Sequence, residues 1–248
     1  MNFFHTVSER FKDWDYAYPK VLYGLILAIR ATNVVEVGTY RGLGACWMAR
    51  AIQEQGRGRV WCIDDFSESI QRRTSYDEWH GNLTACGVRD WATLLHGKSQ
   101  EVLWPKSVDL AYIDGWHGYT AVREDFRRAA SLGAKVICLD DVVGTVGPRM
   151  LVEEIRLNYN RGTGNGKWIE HEGISRPGHD IDGEWDVAEI VEDNGLAICT
   201  RKVSKPPVRF SQELPNNTGI VLVPATIESH LSEAAAATGL NYEKVMMQ

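Results

Sequence analysis

Several features that would place a protein quickly are scarce in this 248-residue chain. No block of lysine and arginine stands out, and the formal charge is −6. A nucleic-acid groove ordinarily carries a basic footprint, so nucleic acid is not an expected partner. The longest apolar run, Val21 to Ile29, is too short to span a bilayer, so no membrane partner is expected. The N-terminal stretch MNFFHTVSERFKDWDY is charged and lacks a signal-type apolar core. The five cysteines are odd in number and contain no CxxC. That speaks against a disulfide framework or a thiolate metal site. Cys62, Cys138 and Cys199 each lie in an apolar, strand-like run, as buried free thiols do in a reducing compartment. The expected location is the cytoplasm. No internal repeat or low-complexity segment is present.

What the chain does have is one organising stretch, Val34 to Ala51, reading VVEVGTYRGLGACWMARA. An apolar run with an acid at Glu36 leads into glycines at Gly38, Gly42 and Gly44, then into a helix-competent segment. This pattern predicts a strand, a Gly-rich turn and a helix N-terminus, where backbone N–H groups can meet a ligand closely.

Further along, apolar runs alternate with helical periodicity. Helices are expected over 20–30, 43–55, 82–87, 100–103, 119–132 and 149–159. Strands are expected over 34–37, 59–63, 91–95, 108–113 and 135–139. Residues 66–81 read as a loop or lid with some helical content. Segments 168–171 and 185–191 have strand character, and the latter pairs with 197–202 across Asp193-Asn194-Gly195, a strong hairpin signal. Past Lys205 the pattern weakens, with a weak strand signal over 219–223 and a weak helical one over 227–238. We expect a domain over 1–203 and an appendage over 204–248 that docks on the domain or on a second subunit.

Alternation of strand and helix argues for a parallel sheet with helices on both faces. Right-handed crossovers then put all strand C-termini on one edge, where such sheets bind ligands. Glu36, Gly38, Asp64, Ser99, Asp114, Asp140 and Asp141 all fall at or just beyond those ends.

The glycine spacing is G-x-x-x-G-x-G rather than the G-x-G-x-x-G of a dinucleotide fold, and Glu36 precedes the first glycine by two residues. A carboxylate there is awkward for a phosphate but suits a ligand carrying positive charge, such as the sulfonium and ammonium of S-adenosylmethionine. Asp64 is placed to accept from a ribose diol.

The segments VVEVGTYRGLGACWMARAI, VWCIDDF, LLHGKS, VDLAYIDGWHGYTAVREDF and KVICLDD, in this order, resemble a class I S-adenosylmethionine-dependent methyltransferase. The nearest likeness is to macrocin-type and catechol-type small-molecule O-methyltransferases, over residues 18–202. The resemblance implies a Rossmann-like α/β fold with a seven-stranded, mostly parallel sheet whose last strand is antiparallel. It also implies that Glu36, Gly38 and Thr39, with Tyr40, Gly42 and Asp114 nearby, hold the methionine end. Asp64 would hold the ribose, and Ser99 would lie by the adenine.

Asp114 ends one expected strand and Asp140-Asp141 the next, about 4.8 Å away, so their carboxylates can converge. Like charges that close raise each other's pKa unless a cation sits among them, and oxygen ligands favour Mg²⁺ or Ca²⁺. Metal-dependent relatives carry Asp-Asn where this chain has Asp-Asp. The alternative is that Asp140 and Asp141 cap the next turn or pair with Arg149. His117, three residues after Asp114, stands at the offset of the catechol-type lysine base, and an imidazole suits proton removal near neutral pH; it could equally cap the Tyr119 helix. Trp79, His80, Trp116 and Trp185 are candidates for the acceptor wall, and Arg72-Arg73 for binding an acidic substrate.

The expectation is therefore metal-assisted O-methylation of a small molecule, with Asp114 and His117 catalytic and Asp114, Asp140 and Asp141 as metal ligands. Two alternatives stand: a hydroxylase-like tailoring enzyme on the same fold, and an NAD-dependent oxidoreductase, against which the glycine spacing and Glu36 speak.

Overall fold

A computed structural model describes residues 2–12, 18–67, 75–159, 168–171, 174–177 and 185–202. The proposed appendage, Arg72-Arg73 and the weak signals beyond residue 205 lie outside these.

In chain order the elements are α1 (Phe3–Arg10), α2 (Tyr18–Ile29), β1 (Asn33–Val37), α3 (Leu43–Gln55), β2 (Arg59–Asp64), α4 (Tyr76–Ala85), β3 (Ala92–His96), β4 (Leu110–Ile113), α5 (Tyr119–Ser131), β5 (Val136–Leu139), α6 (Val146–Tyr159), β6 (Trp168–His171), β7 (Ile174–Pro177), β8 (Trp185–Ile190) and β9 (Leu196–Arg201). Seven strands form one sheet in the order β3-β2-β1-β4-β5-β9-β8. The first five are parallel, and β9 runs antiparallel between β5 and β8. This is the fold class expected from the sequence. β6 and β7 form a separate two-stranded sheet.

The strands are apolar on both faces because both faces are covered. Val34, Val60, Cys62, Leu110 and Cys138 point to one side, against Leu22, Ile26, Met48 and Ile52 of α2 and α3. Val35, Val37, Ala111, Ile113 and Ile137 point to the other, against Phe126, Leu151 and Ile155 of α5 and α6. Among the described residues, no helix is long and apolar enough to cross a membrane.

Four local expectations are corrected. The helix expected over 82–87 begins earlier, at Tyr76, inside the stretch read as a loop or lid with some helical content, and ends at Ala85; Ser75 accepts from Glu78 N–H at 3.3 Å, and the Ser-x-x-Glu spacing is an N-terminal capping signal. α6 begins at Val146 rather than Arg149, because Pro148 falls in a first turn whose N–H needs no intrahelical partner. Residues 100–103 make only one turn, with Glu101 and Val102 N–H both on Lys98 O, since Pro105 disfavours helix in the residue before it. α1 was not expected at all, although Phe3, Thr6 and Val7 give its buried face the helical i, i+3, i+4 spacing.

α5 and α6 are locked together by a buried ion pair. Arg123 Nε lies 3.1 Å from both oxygens of Glu154, which is fully buried, and Tyr119 OH donates to Glu154 Oε2 at 2.5 Å. Removing the acid leaves a buried guanidinium without its counter-charge. Glu154→Ala is expected to cost about 3–5 kcal/mol, read as a lower urea midpoint with an unchanged slope.

Candidate active site

Chain reversals beyond β1, β2, β3, β4 and β5 line one cleft of about 1100 Å³. Backbone hydrogen bonds continue past the strands and join these turns. Gly38 N–H donates to Ile63 O at 2.9 Å, Asp114 N–H to Val37 O at 2.8 Å, and Asp140 N–H to Ile113 O at 3.0 Å. Gly38 sits at φ +81°, and a Cβ there would lie 2.1 Å from Asp114 O. The glycine is therefore required by close approach of two backbones, as well as by any ligand. Gly42 does not line the cleft. It starts α3 in a left-handed conformation, with the space of its missing side chain filled by Leu83 and Trp79.

Glu36 is 1% exposed at the floor. Burial pushes its carboxyl up to about 8, although the Thr39 and Cys62 side chains hydrogen-bond to it. Its Oε2 has no partner. Thr39 in turn accepts from Trp79 Nε1 at 3.0 Å. Trp79 is thus fully buried behind the site, bracing Thr39, and is no wall for an acceptor.

Asp64 accepts from Tyr40 N–H at 2.8 Å on one oxygen and from Phe66 N–H at 2.7 Å on the other. Tyr40 and Phe66 hold positive φ, at 47° and 51°, which aims both N–H groups at the carboxylate. Burial nevertheless raises its pKa. Each oxygen keeps a lone pair for a hydroxyl donor. Ser99 is buried at the β3 end and lines the same cleft.

The acids beyond β4 and β5 do converge. His117 Nε2 lies 3.2 Å from Asp141 Oδ2 and 3.6 Å from Asp114 Oδ1, but is aligned with neither as a hydrogen bond. Asp114, His117 and Asp141 offer donor atoms all within 4.8 Å of one another. Asp140 stands outside that group: Tyr112 OH lies 2.7 Å from its Oδ2 and 3.2 Å from Asp114 Oδ2, and its Oδ1 is buried without a partner. Burial raises the pKa of Asp114, and His117 only partly offsets this. Burial and then Asp114 raise that of Asp140. Asp114 raises that of His117. Asp141 holds φ at 58°, a left-handed conformation costly for a residue other than glycine. Arg149 pairs with Glu153 and Glu189 instead of the aspartates.

Of the aromatic candidates only Trp116 lines the cleft, 72% exposed at its rim. Trp185 is buried against Phe126, and His80 sits beside Tyr76 on α4 away from the cleft. Tyr18, Tyr112, Asp125 and Asn194 line it without having been singled out. Tyr18 accepts from Gly195 N–H at 2.9 Å and donates to Glu192 O, tying α2 to the β8–β9 hairpin. The one legible signal among these was Tyr112, a hydroxyl in an otherwise apolar strand.

With this geometry, residues 35–141 match the family described as "Methyltransferase domain". Solved structures share the fold. The O-methyltransferase TomG from Streptomyces achromogenes, in complex with SAM, is 16% identical over 82% of this chain and 91% of its own, with a TM-score of 0.55. The O-methyltransferase from Bacillus cereus in complex with SAH is 19% identical over 80% and 91%, with a TM-score of 0.54. Cofactor-bound Rv0187 from MTB is 21% identical over 74% and 79%, with a TM-score of 0.51. No curated protein matches the sequence. The match covers under half of the chain, and the architecture is the fold shared by these methyltransferases, as the sequence resemblance implied.

The two glycines Gly38 and Gly56 separate backbone strain from crowding. Both have positive φ, but a Cβ on Gly56 meets nothing within 4 Å. Gly56→Ala is expected to cost about 1–2 kcal/mol from conformation alone. Gly38→Ala is expected to cost clearly more in the same urea titration, because the β1 and β4 turns must also separate.

Proposed function

We propose that this chain transfers the methyl group of S-adenosylmethionine to a hydroxyl oxygen of a small molecule. One observation carries the reading. Glu36 is a buried acid with an unpartnered oxygen at the floor of a cleft whose other strand ends supply Asp64 and Ser99. That set suits an ammonium and sulfonium at one end, a ribose diol next, and a base beyond. The bound cofactors named for the structural neighbours support the same assignment.

Glu36, Gly38, Thr39 and Tyr40 bind the methionine portion, and Asp64 the ribose. Asp114 closes this half and begins the acceptor half, while Trp116 covers the rim. The cleft holds methyl and acceptor oxygen in line, and proximity supplies much of the rate. His117 Nε2 takes the hydroxyl proton, and Asp114 stabilises the resulting imidazolium.

Asp114 and Asp141 would hold a divalent cation such as Mg²⁺, and Asp140, which lies outside their group on Tyr112, would turn to join them as the third ligand. Among the described residues, Asp140 Oδ1 lacks a hydrogen-bond partner and His117 is the basic group that reaches these acids. When bound, the cation would lower the pKa of the acceptor hydroxyl. A second reading has its own observation: His117 Nε2 shares one 4.8 Å group with Asp114 and Asp141, which suits it as the third ligand instead of the base. The acceptor is a small molecule, and the formal charge of −6 lends nucleic acid no support. The chain works in the cytoplasm.

Two measurements test this. With S-adenosylmethionine and a panel of hydroxylated aromatic and sugar acceptors, Asp114→Asn and His117→Ala are each expected to lose about 10²-fold or more in turnover. Full activity of both variants on an identified acceptor overturns the mechanism. Metal content then assigns His117: retention in His117→Ala marks a base, loss marks a ligand. Second, Glu36 is mostly protonated at pH 7 in the free protein, because its pKa lies at about 8. A cationic ligand favours the ionised form. Calorimetry in buffers of differing ionisation enthalpy should therefore record release of about one proton on S-adenosylmethionine binding at pH 7, absent in Glu36→Gln.

A further inference from the structure

We infer that the Tyr112 hydroxyl is a latch: it holds Asp140 apart from Asp114, His117 and Asp141, and so sets how tightly a divalent cation binds among them. Tyr112 is thus a positioning residue that acts through Asp140. The inference rests on the cation reading above and names the group that Asp140 must leave to become the third ligand.

Sheet geometry puts the hydroxyl where it can do this. Tyr112 and Cys138 are directly paired across β4 and β5, and both belong to the core beneath α2 and α3. Side chains alternate along a strand, so the next positions on that face are Asp114 and Asp140. The Tyr112 ring is buried and held in place beside Gly44, where a Cβ would lie 3.4 Å from its Cε1. Its hydroxyl reaches both carboxylates, 2.7 Å from Asp140 Oδ2 and 3.2 Å from Asp114 Oδ2. A phenol has one proton to donate, and the shorter contact gives it to Asp140.

The two consecutive aspartates part at this point. Asp140 is drawn back onto Tyr112, with its own N–H on Ile113 O. Asp141, in its left-handed conformation, turns the other way and lies 3.2 Å from His117 Nε2. The donor atoms of Asp114, His117 and Asp141 therefore gather within 4.8 Å of one another, and Asp140 is left out. Asp140 Oδ1 is buried without a hydrogen-bond partner among the described residues, so this carboxylate has an acceptor to offer once it turns. Turning breaks the hydrogen bond to Tyr112, and that loss is subtracted from the affinity for the cation. A phenylalanine at position 112 keeps the ring and removes the loss.

Binding of Mn²⁺ to the full chain, followed by the electron paramagnetic resonance signal of the free ion, tests this. Tyr112→Phe is expected to bind Mn²⁺ at least about fivefold more tightly than the wild type. The gain should vanish in an Asp140→Ala background, because the hydroxyl acts through that carboxylate. If Tyr112→Phe fails to fold, Tyr112→Leu removes the same hydroxyl and should give the same gain. A tyrosine that merely packs the site would loosen it when replaced, and Mn²⁺ would bind more weakly. Equal or weaker affinity in a folded variant therefore overturns the inference, while binding by the wild type leaves the cation reading standing. A gain that persists without Asp140 overturns the inference as well. If neither the wild type nor Tyr112→Phe binds Mn²⁺, the cation reading falls, and this inference with it.

Discussion

The site depends on how closely the β1 and β4 backbones approach each other beyond the sheet. A Cβ on Gly38 would overlap Asp114 O at 2.1 Å, and Asp114 N–H is bonded to Val37 O. This contact sets the distance between the β1 turn, which carries the proposed cofactor residues, and the β4 turn, which carries the proposed acceptor residues. Glu36, two residues before Gly38, and His117, three residues after Asp114, take their positions from it. Gly147 extends the same constraint, since a Cβ there would lie 2.0 Å from His117 O, so α6 abuts the turn that carries the imidazole. The geometry of the cleft therefore rests on backbone contacts that only glycine permits.

The buried acids along this edge share one direction of shift. Glu36, Asp64, Asp114, Asp125 and Asp140 are all held above the usual carboxylate range, with burial the leading cause in each. Carboxyl groups stored this way are poised for cationic or hydrogen-bond-donating ligands. The protein meets the cost partly with backbone N–H donors, as at Asp64, and partly with hydroxyls, as at Glu36 and Asp140. Among the described residues, hydrogen-bond partners are missing at Glu36 Oε2, His117 Nε2 and Asp140 Oδ1, where the proposed methyl donor and acceptor would be engaged.

Much of this was legible beforehand. The strand-to-helix alternation gave the sheet, and the acids at strand ends gave the edge, because both follow from local periodicity and from the rule that parallel strands share a C-terminal edge. The aromatic wall was not legible. Trp79, Trp116 and Trp185 are alike as residues, but one braces Thr39, one covers the rim and one packs on Phe126. Burial separates them, and burial is a property of the assembled layers. Asp125 was missed for the same reason: it is one of two adjacent acids on α5, and only tertiary packing buries it while Glu124 stays exposed.

The sequence by itself determined the fold class, the order of strand ends and the identity of the groups placed there, because hydrophobic period and glycine punctuation act over a few residues. Only the tertiary structure decided which carboxylates meet. It brought His117 between Asp114 and Asp141, turned Asp140 onto Tyr112, and sank Asp125 beneath the cleft. Those outcomes turn on crossings between strands and helices far apart in the chain, where a shift of a few ångströms changes which oxygen finds which partner.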